Sequence, residues 1–285
     1  MDYLEEWDLE EWKKEQTRKY VTDKGDYYEM IINDPPLADP IKMSKKIKDY
    51  WGSTRGLYFY EIHSMIANLS KMVTETEKRK DFNGEILFLD IGANTGNYCF
   101  LTYYKPNIKC IAFEPGETVY EILQENIKIN NLENKIKAYN VALWSKTDSK
   151  KLKIAKEGKD SGLSTLAPNP KRFNSEGFYE QEVKCWSLDD FLAANEGILG
   201  NNVISGCKID TEGAELDILK GSQETLKKYK PFLIIEYDQK NTEQFGYDKA
   251  DIVRFLVSIG YTDFSLSGFD GKIDGELMAW FTEEE

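Results

Sequence analysis

One stretch in the first third of the chain joins a buried strand to a glycine turn, and it limits the possible folds most. Residues 86–91 are apolar except for Asp90, which is typical of a central strand covered on both faces of a parallel sheet. Gly92 follows this strand directly and Gly96 comes four residues later. The predicted turn needs glycine at both positions, because a side chain there would block a tight turn or the approach of a ligand. Residues 98–104 are predicted to form a helix whose first N–H groups face that ligand. The chain is therefore predicted to hold an α/β sheet with a ligand site at this turn.

The spacing of the turn separates two kinds of cofactor. A dinucleotide site needs G-x-G-x-x-G, whereas here Asp90 precedes the first glycine and Asn94 stands between the two. Asp90 suits a ligand with an amino group, which favours S-adenosylmethionine (SAM). Glu114 closes the next predicted strand, where an acid grips ribose hydroxyls. The predicted cofactor-binding residues are Asp90, Gly92, Asn94, Gly96 and Glu114.

Four separated motifs, in residues 88–96, 112–115, 188–192 and 208–221, stand in an order that resembles the FkbM family of SAM-dependent methyltransferases. The resemblance covers roughly one full domain, residues 82–282. It implies a Rossmann-like class I methyltransferase fold, with a mostly parallel seven-stranded sheet that ends in an antiparallel pair. It also implies that Ala142 lies beside the adenine and that a hydroxyl of a sugar, glycan or secondary metabolite is methylated.

Two regions are predicted to differ in architecture. Residues 1–80 are expected to form a helical N-terminal extension that shapes or covers the acceptor pocket. Its predicted parts are an amphipathic helix within residues 1–20, a short helix within 41–51, and a longer helix over 59–73 with apolar residues at helical spacing. Residues 81–285 are expected to form the methyltransferase domain, with a β-hairpin insertion between residues 145 and 187.

The candidate catalytic groups follow the fourth predicted strand of the sheet. Asp210 ends that strand beside the crevice and Glu215 lies in the same segment. Neighbouring carboxylates raise each other's pKa values, which suits a base that works near neutrality. Alternatively, Asp210 and Glu212 cap the following helix. His63 is the only histidine and a further candidate base, unless it only packs on its helix or faces solvent.

Composition restricts the partners. A net charge of −13 repels polyanions, so nucleic acid is not an expected partner. No apolar run approaches the ~20 residues that span a bilayer, and the acidic N-terminus does not resemble a secretory signal. Four cysteines without C-x-x-C spacing indicate reduced thiols in a cytoplasmic protein. The expected partner is a small-molecule or glycan acceptor, with no membrane.

Two other functions, and the separate question of a bound metal, are weighed against a SAM-dependent O-methyltransferase. Asp210, Glu212 and Glu236 are candidate ligands for a metal, but oxygen-only clusters of this kind usually bind weakly, so no metal is predicted. A nicotinamide-dependent oxidoreductase uses the same kind of sheet, although Asn94 and the missing third glycine oppose it. A catalytically inactive SAM-binding interaction module is the last alternative, and the acids predicted in the crevice oppose that function.

Overall fold

Thirteen strands and seven α-helices are found in the described part of the chain. The computed structural model describes residues 21–30, 41–46, 59–80, 82, 84–103, 107–155, 164–168, 178–267 and 275–282. The strands are β1 (Val21–Asp23), β2 (Tyr27–Met30), β3 (Ile41–Ser44), β4 (Ile86–Ile91), β5 (Ile108–Phe113), β6 (Ile136–Tyr139), β7 (Ala142–Leu143), β8 (Asp148–Ala155), β9 (Phe178–Trp186), β10 (Ile204–Ile209), β11 (Phe232–Tyr237), β12 (Asp263–Ser267) and β13 (Gly275–Trp280). The helices are α1 (Phe59–Glu77), α2 (Glu117–Ile129), α3 (Leu188–Ala194), α4 (Glu215–Lys220), α5 (Gln223–Tyr229), α6 (Gln239–Thr242) and α7 (Ala250–Ser258), with 3-10 turns at Cys99–Tyr103 and Glu243–Phe245.

The central sheet has seven strands in the order β12-β13-β11-β10-β4-β5-β6. β11, β10, β4, β5 and β6 run parallel, while β13 pairs antiparallel with both β11 and β12. The predicted fold class is therefore confirmed, including the terminal antiparallel pair. Every residue of β4 is buried, because one apolar layer containing α1 and α2 covers one face and a second layer with α3, α4, α5 and α7 covers the other.

The chain order of the strands opens a crevice beside β4. From β4 the chain moves outward to β5 and β6, and it later returns to β10 on the opposite side of β4. The connections therefore diverge above the carboxyl ends of β4 and β10, which is where open α/β sheets bind ligands. Gly92 and Asp210 lie at these two strand ends.

The N-terminal extension contains strands where the sequence predicts a helix. Ile41 begins β3, the third strand of an antiparallel sheet in the order β1-β2-β3, so the predicted helix over 41–51 is wrong at its start. The alternation of buried Ile41 and Met43 with half-buried Lys42 suits a strand, and both apolar residues join the core that contains β4. Residues 47–51 of that predicted helix and residues 1–20 lie outside the described residues. The longer predicted helix is confirmed as α1.

Asn126 of α2 and Asn130, the residue that follows this helix, tie β3 to the main domain. The Ser44 N–H donates to Asn126 Oδ1 at 2.6 Å, and the Lys42 N–H donates to Asn130 Oδ1 at 2.8 Å. Asn126 also donates from Nδ2 to the carbonyl oxygen of Thr95 in the glycine turn, at 2.9 Å. The backbone groups on the free edge of β3 are thus satisfied by side chains, and the extension and the turn share one buried amide.

The predicted hairpin insertion is present as β8 and β9. These strands pair antiparallel, and the short β7 runs parallel to β9. Residues 164–168 fold back along β8 through paired hydrogen bonds between Lys153 and Thr165. None of the helices in the described ranges is long and apolar enough to cross a bilayer.

Replacement of Asn126 by alanine is expected to destabilise the protein by about 2 kcal/mol or more, because the Ser44 N–H and the Thr95 carbonyl are left buried without this partner. Urea unfolding measures the loss. Gln124→Ala is the matched control, since Gln124 is an exposed amide of the same helix, and its effect should stay within about 0.5 kcal/mol. Equal effects of the two changes would show that the Asn126 bridge does not stabilise the fold.

Candidate active site

A cavity of about 410 Å³ opens at the carboxyl ends of β4, β5 and β10. Its volume is within the range of small-molecule sites. The predicted site residues that line it are Asp90, Gly92, Asn94, Glu114, Ala142 and Asp210. The hairpin insertion adds Leu152 and Leu166 to its wall, and α1 adds Met65.

The two glycines of the turn lie close to other residues of the chain. Gly92 has a φ of 78°, and a Cβ on it would lie 1.9 Å from the carbonyl oxygen of Asp210. Gly96 does not line the cavity, because it packs against Leu123 and Phe100, at 2.7 and 2.9 Å from an added Cβ. Gly92 is thus required by a backbone contact, and Gly96 by its left-handed φ of 102°. The helix predicted over residues 98–104, directly after the turn, is a short 3-10 helix, Cys99–Tyr103.

Asp90 presents a buried carboxylate at the base of the turn. Its side chain is 1% exposed, and Oδ2 accepts from the Cys99 thiol at 2.9 Å. Oδ1 has no hydrogen-bond donor among the described residues. Burial raises the pKa of Asp90, although the Lys208 ammonium opposes that change. An unsatisfied buried acceptor in a cavity wall fits a ligand that brings a donor, such as the amino group of SAM.

Glu114 is held at the end of β5 by the turn itself. Oε2 accepts from the Asn94 N–H at 2.9 Å, and Oε1 accepts from the Gly116 N–H at 2.8 Å. Asn94 has a left-handed φ of 50°, which asparagine tolerates better than most residues. Burial raises the pKa of Glu114 to about 7, against the two backbone donors. Each oxygen retains acceptor capacity for ribose hydroxyls.

Asp210 is accompanied by a buried lysine that the sequence reading overlooked. Lys208 Nζ lies 2.6 Å from Asp210 Oδ2 and 4.4 Å from the centroid of the Tyr98 ring. The Tyr98 hydroxyl donates to Glu276 Oε1 at 2.5 Å, and Asn68 donates to the other oxygen of Glu276. The visible signal in the sequence is a lysine inside the otherwise apolar strand β10. Lys208 and Tyr98 line the cavity.

Glu215, a predicted catalytic residue, is not among the residues that line the cavity, and its catalytic role stays a prediction. Its Oε1 accepts from the Thr211 N–H at 3.0 Å, the Thr211 hydroxyl at 2.9 Å and the Gly213 N–H at 3.2 Å. Its side chain is 1% exposed. Glu215 therefore holds the loop between β10 and α4. The alternative that Asp210 or Glu212 caps α4 is wrong, since the N-cap residue is Ala214 and no side-chain hydrogen bond caps the helix.

An acidic trio lies at the mouth of this loop. One oxygen from each of Asp210, Glu212 and Glu236 lies within 4.8 Å of the others. The Asn241 amide donates to Glu212 Oε2 at 3.0 Å and to Glu236 Oε1 at 2.8 Å. Burial raises the pKa of Glu236, and the neighbouring carboxylates raise it further. A shared amide thus bridges two of the three acids, and the absence of a metal remains a prediction.

His63 lies within α1, but its side chain is outside the described part of the structure. Its role as a base remains a prediction.

Comparisons with known proteins identify the family. The family described as "Methyltransferase FkbM domain" matches residues 90–262. The chain belongs to the FkbM methyltransferase family. The predicted resemblance is therefore confirmed.

Two fungal proteins are similar in sequence. "Methyltransferase sdnD" of Sordaria araneosa is 29% identical over 157 residues, which cover 48% of this chain and 60% of that protein. "Methyltransferase 1" of Beauveria bassiana is 25% identical over 152 residues, which cover 49% of this chain and 59% of that protein. The matches span less than two thirds of either relative.

Solved structures are more distant. A methyltransferase FkbM from Methylobacillus flagellatus is 16% identical with a TM-score of 0.48, covering 70% of this chain and 44% of that one. Magnesium protoporphyrin IX methyltransferase from Synechocystis, solved with bound SAM, is 10% identical with a TM-score of 0.43, covering 78% of this chain and 80% of that one.

Glu114 is expected to make the stability of the ligand-free FkbM protein fall as the pH rises. Its pKa is raised in the folded protein from 4.5 to about 7, so its contribution is present below pH 4.5 and lost as the pH passes 7. Glu114→Gln removes this titration and should reduce the loss between pH 5 and pH 8 by at most about 3 kcal/mol. Urea unfolding at both pH values measures the difference. Glu117→Gln, an exposed acid nearby, is the control, and an identical pH dependence in the two variants would contradict the assignment.

Proposed function

We propose that this FkbM-family chain is a SAM-dependent O-methyltransferase. The observation that carries the proposal is one cavity lined by carboxylates from three neighbouring strands. Asp90 lies on β4 and has a buried oxygen without a donor, while Glu114 follows β5 on one side of β4 and the half-exposed Asp210 follows β10 on the other. Such a wall provides acceptors for a cofactor with amino and ribose groups and a separate carboxylate for a second substrate.

The residues fit SAM on grounds of donor and acceptor chemistry. Asp90 would bind its amino group, Glu114 its ribose hydroxyls, and Ala142 would lie beside the adenine, as the family resemblance implies. SAM supplies a methyl group activated by a sulfonium. Gly92 and Asn94 keep the turn tight enough for Asp90 and Glu114 to line the same cavity. Gly96, predicted as a cofactor residue, packs against Leu123 and Phe100 and does not line the cavity.

Asp210 is the proposed base toward the acceptor hydroxyl. Its Oδ2 is held by Lys208, while no described residue donates to Oδ1. A hydroxyl that donates to Oδ1 would be oriented and would lose its proton to the carboxylate as the methyl group is transferred. General-base catalysis of this kind typically contributes ~10²–10⁴-fold, and positioning contributes more.

The acceptor is proposed to be a hydroxylated small molecule, sugar or glycan. Among the charged side chains that line the cavity, four are acidic and one is basic: Asp90, Glu114, Asp210 and Glu212 against Lys208. This balance supports a neutral, donor-rich acceptor over a nucleic acid or a phosphorylated one. The four buried free cysteines support a reducing compartment such as the cytoplasm.

The rival functions lack a comparable observation. The family match gives the nicotinamide alternative no support. An inactive SAM-binding module has no use for a carboxylate held toward the cavity by a buried lysine, and the Asp210 variant below separates it from an enzyme.

S-adenosylhomocysteine (SAH) is expected to bind the purified chain at micromolar affinity, and Glu114→Gln should weaken it about tenfold through loss of charge-assisted hydrogen bonds. Ribose hydroxyls that donate to Glu114 favour its ionised form, so SAH binding near pH 7 should release protons from the wild-type protein and not from the variant. Calorimetry in two buffers of different ionisation enthalpy measures both effects. Glu117→Gln should behave like wild type, and unaltered affinity in Glu114→Gln would refute the ribose contact.

Asp210→Asn is expected to preserve SAH affinity within a few fold and to lower turnover by ~10²–10⁴-fold, because the amide cannot accept the proton. Transfer of an isotope-labelled methyl group from SAM to a panel of hydroxylated acceptors measures the rate. Asp251→Asn, at the surface carboxylate paired with Arg254, is the matched control. Near-normal turnover in Asp210→Asn would leave positioning as the source of catalysis and remove the base assignment.

A further inference from the structure

Lys208 carries the one positive charge among the described side chains that line this cavity. Its side chain is 6% exposed, and the residue lies opposite Asp90 in the pairing of β10 with β4. Its ammonium contacts Asp210 at 2.6 Å and the face of Tyr98 at 4.4 Å. Lys208 thus lies between the proposed cofactor acid and the proposed acceptor acid.

The lysine remains charged despite its burial. Burial alone would lower the pKa of Lys208, but the carboxylates of Asp210, Asp90 and Glu276 outweigh that effect and hold the pKa above its ordinary value. These acids come from three directions: β4 contributes Asp90, the end of β10 contributes Asp210, and β13 contributes Glu276. The Tyr98 ring adds a cation–π contact to the same ammonium.

Stability does not explain this arrangement. Desolvation of buried charges is costly, and apolar residues of similar volume often serve a fold equally well or better. Charged groups packed around a cavity, with shifted pKa values, are more typical of functional sites. Lys208 therefore acts through its charge on the electrostatics of the cavity.

We propose that Lys208 is a positioning residue that offsets the charge of Asp90 and Asp210, so that the site does not bind the sulfonium of SAM too tightly relative to uncharged SAH. The inference rests on the proposed function. The sulfonium charge disappears as the methyl group leaves, so a wall with uncompensated carboxylates stabilises the charged ground state more than the transition state. Lys208 reduces this unproductive binding and also fixes Oδ2 of Asp210.

The test compares the affinities of SAM and SAH by calorimetry at pH 8 and needs no acceptor. In Lys208→Met the ratio Kd(SAH)/Kd(SAM) is expected to rise about tenfold over wild type, as expected for loss of one charge within about 10 Å in a medium of intermediate dielectric. Lys208→Gln, which keeps a hydrogen-bond donor without charge, should shift the ratio in the same direction. If the methionine variant does not fold, the glutamine variant gives the result.

A double variant separates charge from packing. Asp210→Asn alone should lower the ratio, and Lys208→Met combined with Asp210→Asn should return it towards the wild-type value, because one charge of each sign is then missing. Lys109→Met is the control, since Lys109 forms an exposed ion pair with Glu85 at the opposite edge of the sheet. A ratio that stays within twofold of wild type in both Lys208 variants overturns the inference, while a wild-type chain that binds neither SAM nor SAH overturns the proposed function itself.

Discussion

The close approach of two strand ends is the constraint on which the site depends. At Gly92 the backbone of the turn presses against the carbonyl of Asp210, and the Asp210 N–H donates to the Ile91 carbonyl at 3.0 Å. No side chain other than hydrogen fits between them. A single backbone contact therefore sets the position of the cofactor turn relative to the acid that would act on the acceptor. Any shift of β10 against β4 would therefore change the distance between the glycine turn and Asp210.

The sequence was sufficient for features that depend on one strand and its adjoining turn. The apolar run before Gly92, the acid that closes β5 and the acid that closes β10 all lie where local pattern predicted them. Long-range partners were missed, because the contact between Lys208 and Tyr98 or between Tyr98 and Glu276 arises only once the strand order is known. For Glu215, the sequence suggested a contact that the structure does not contain. Its spacing from Asp210 indicated a cluster in the cavity, yet backbone donors of the loop use its Oε1.

The loop after β10 shows how the protein holds a costly conformation. Glu212 has a left-handed φ of 56°, which is uncommon for a side chain of this kind. The Glu212 N–H donates to Glu236 Oε2 at 3.1 Å, and Thr165 of the insertion donates to the Glu212 carbonyl at 3.1 Å. Strained residues persist where their surroundings over-determine them, and they cluster at functional sites. The hairpin insertion therefore helps to fix the backbone next to Asp210.

The amide of Asn126 has a consequence for how the chain folds. It joins the backbone of β3 to the glycine turn, although the family match begins only at residue 90. Hydrophobic residues of β3 also belong to the core of the main sheet. The residues that pack as one core thus begin ahead of the matched region, at Ile41 among the described residues. Amide hydrogens of Ser44 and of the turn are accordingly expected to exchange with solvent in the same opening event.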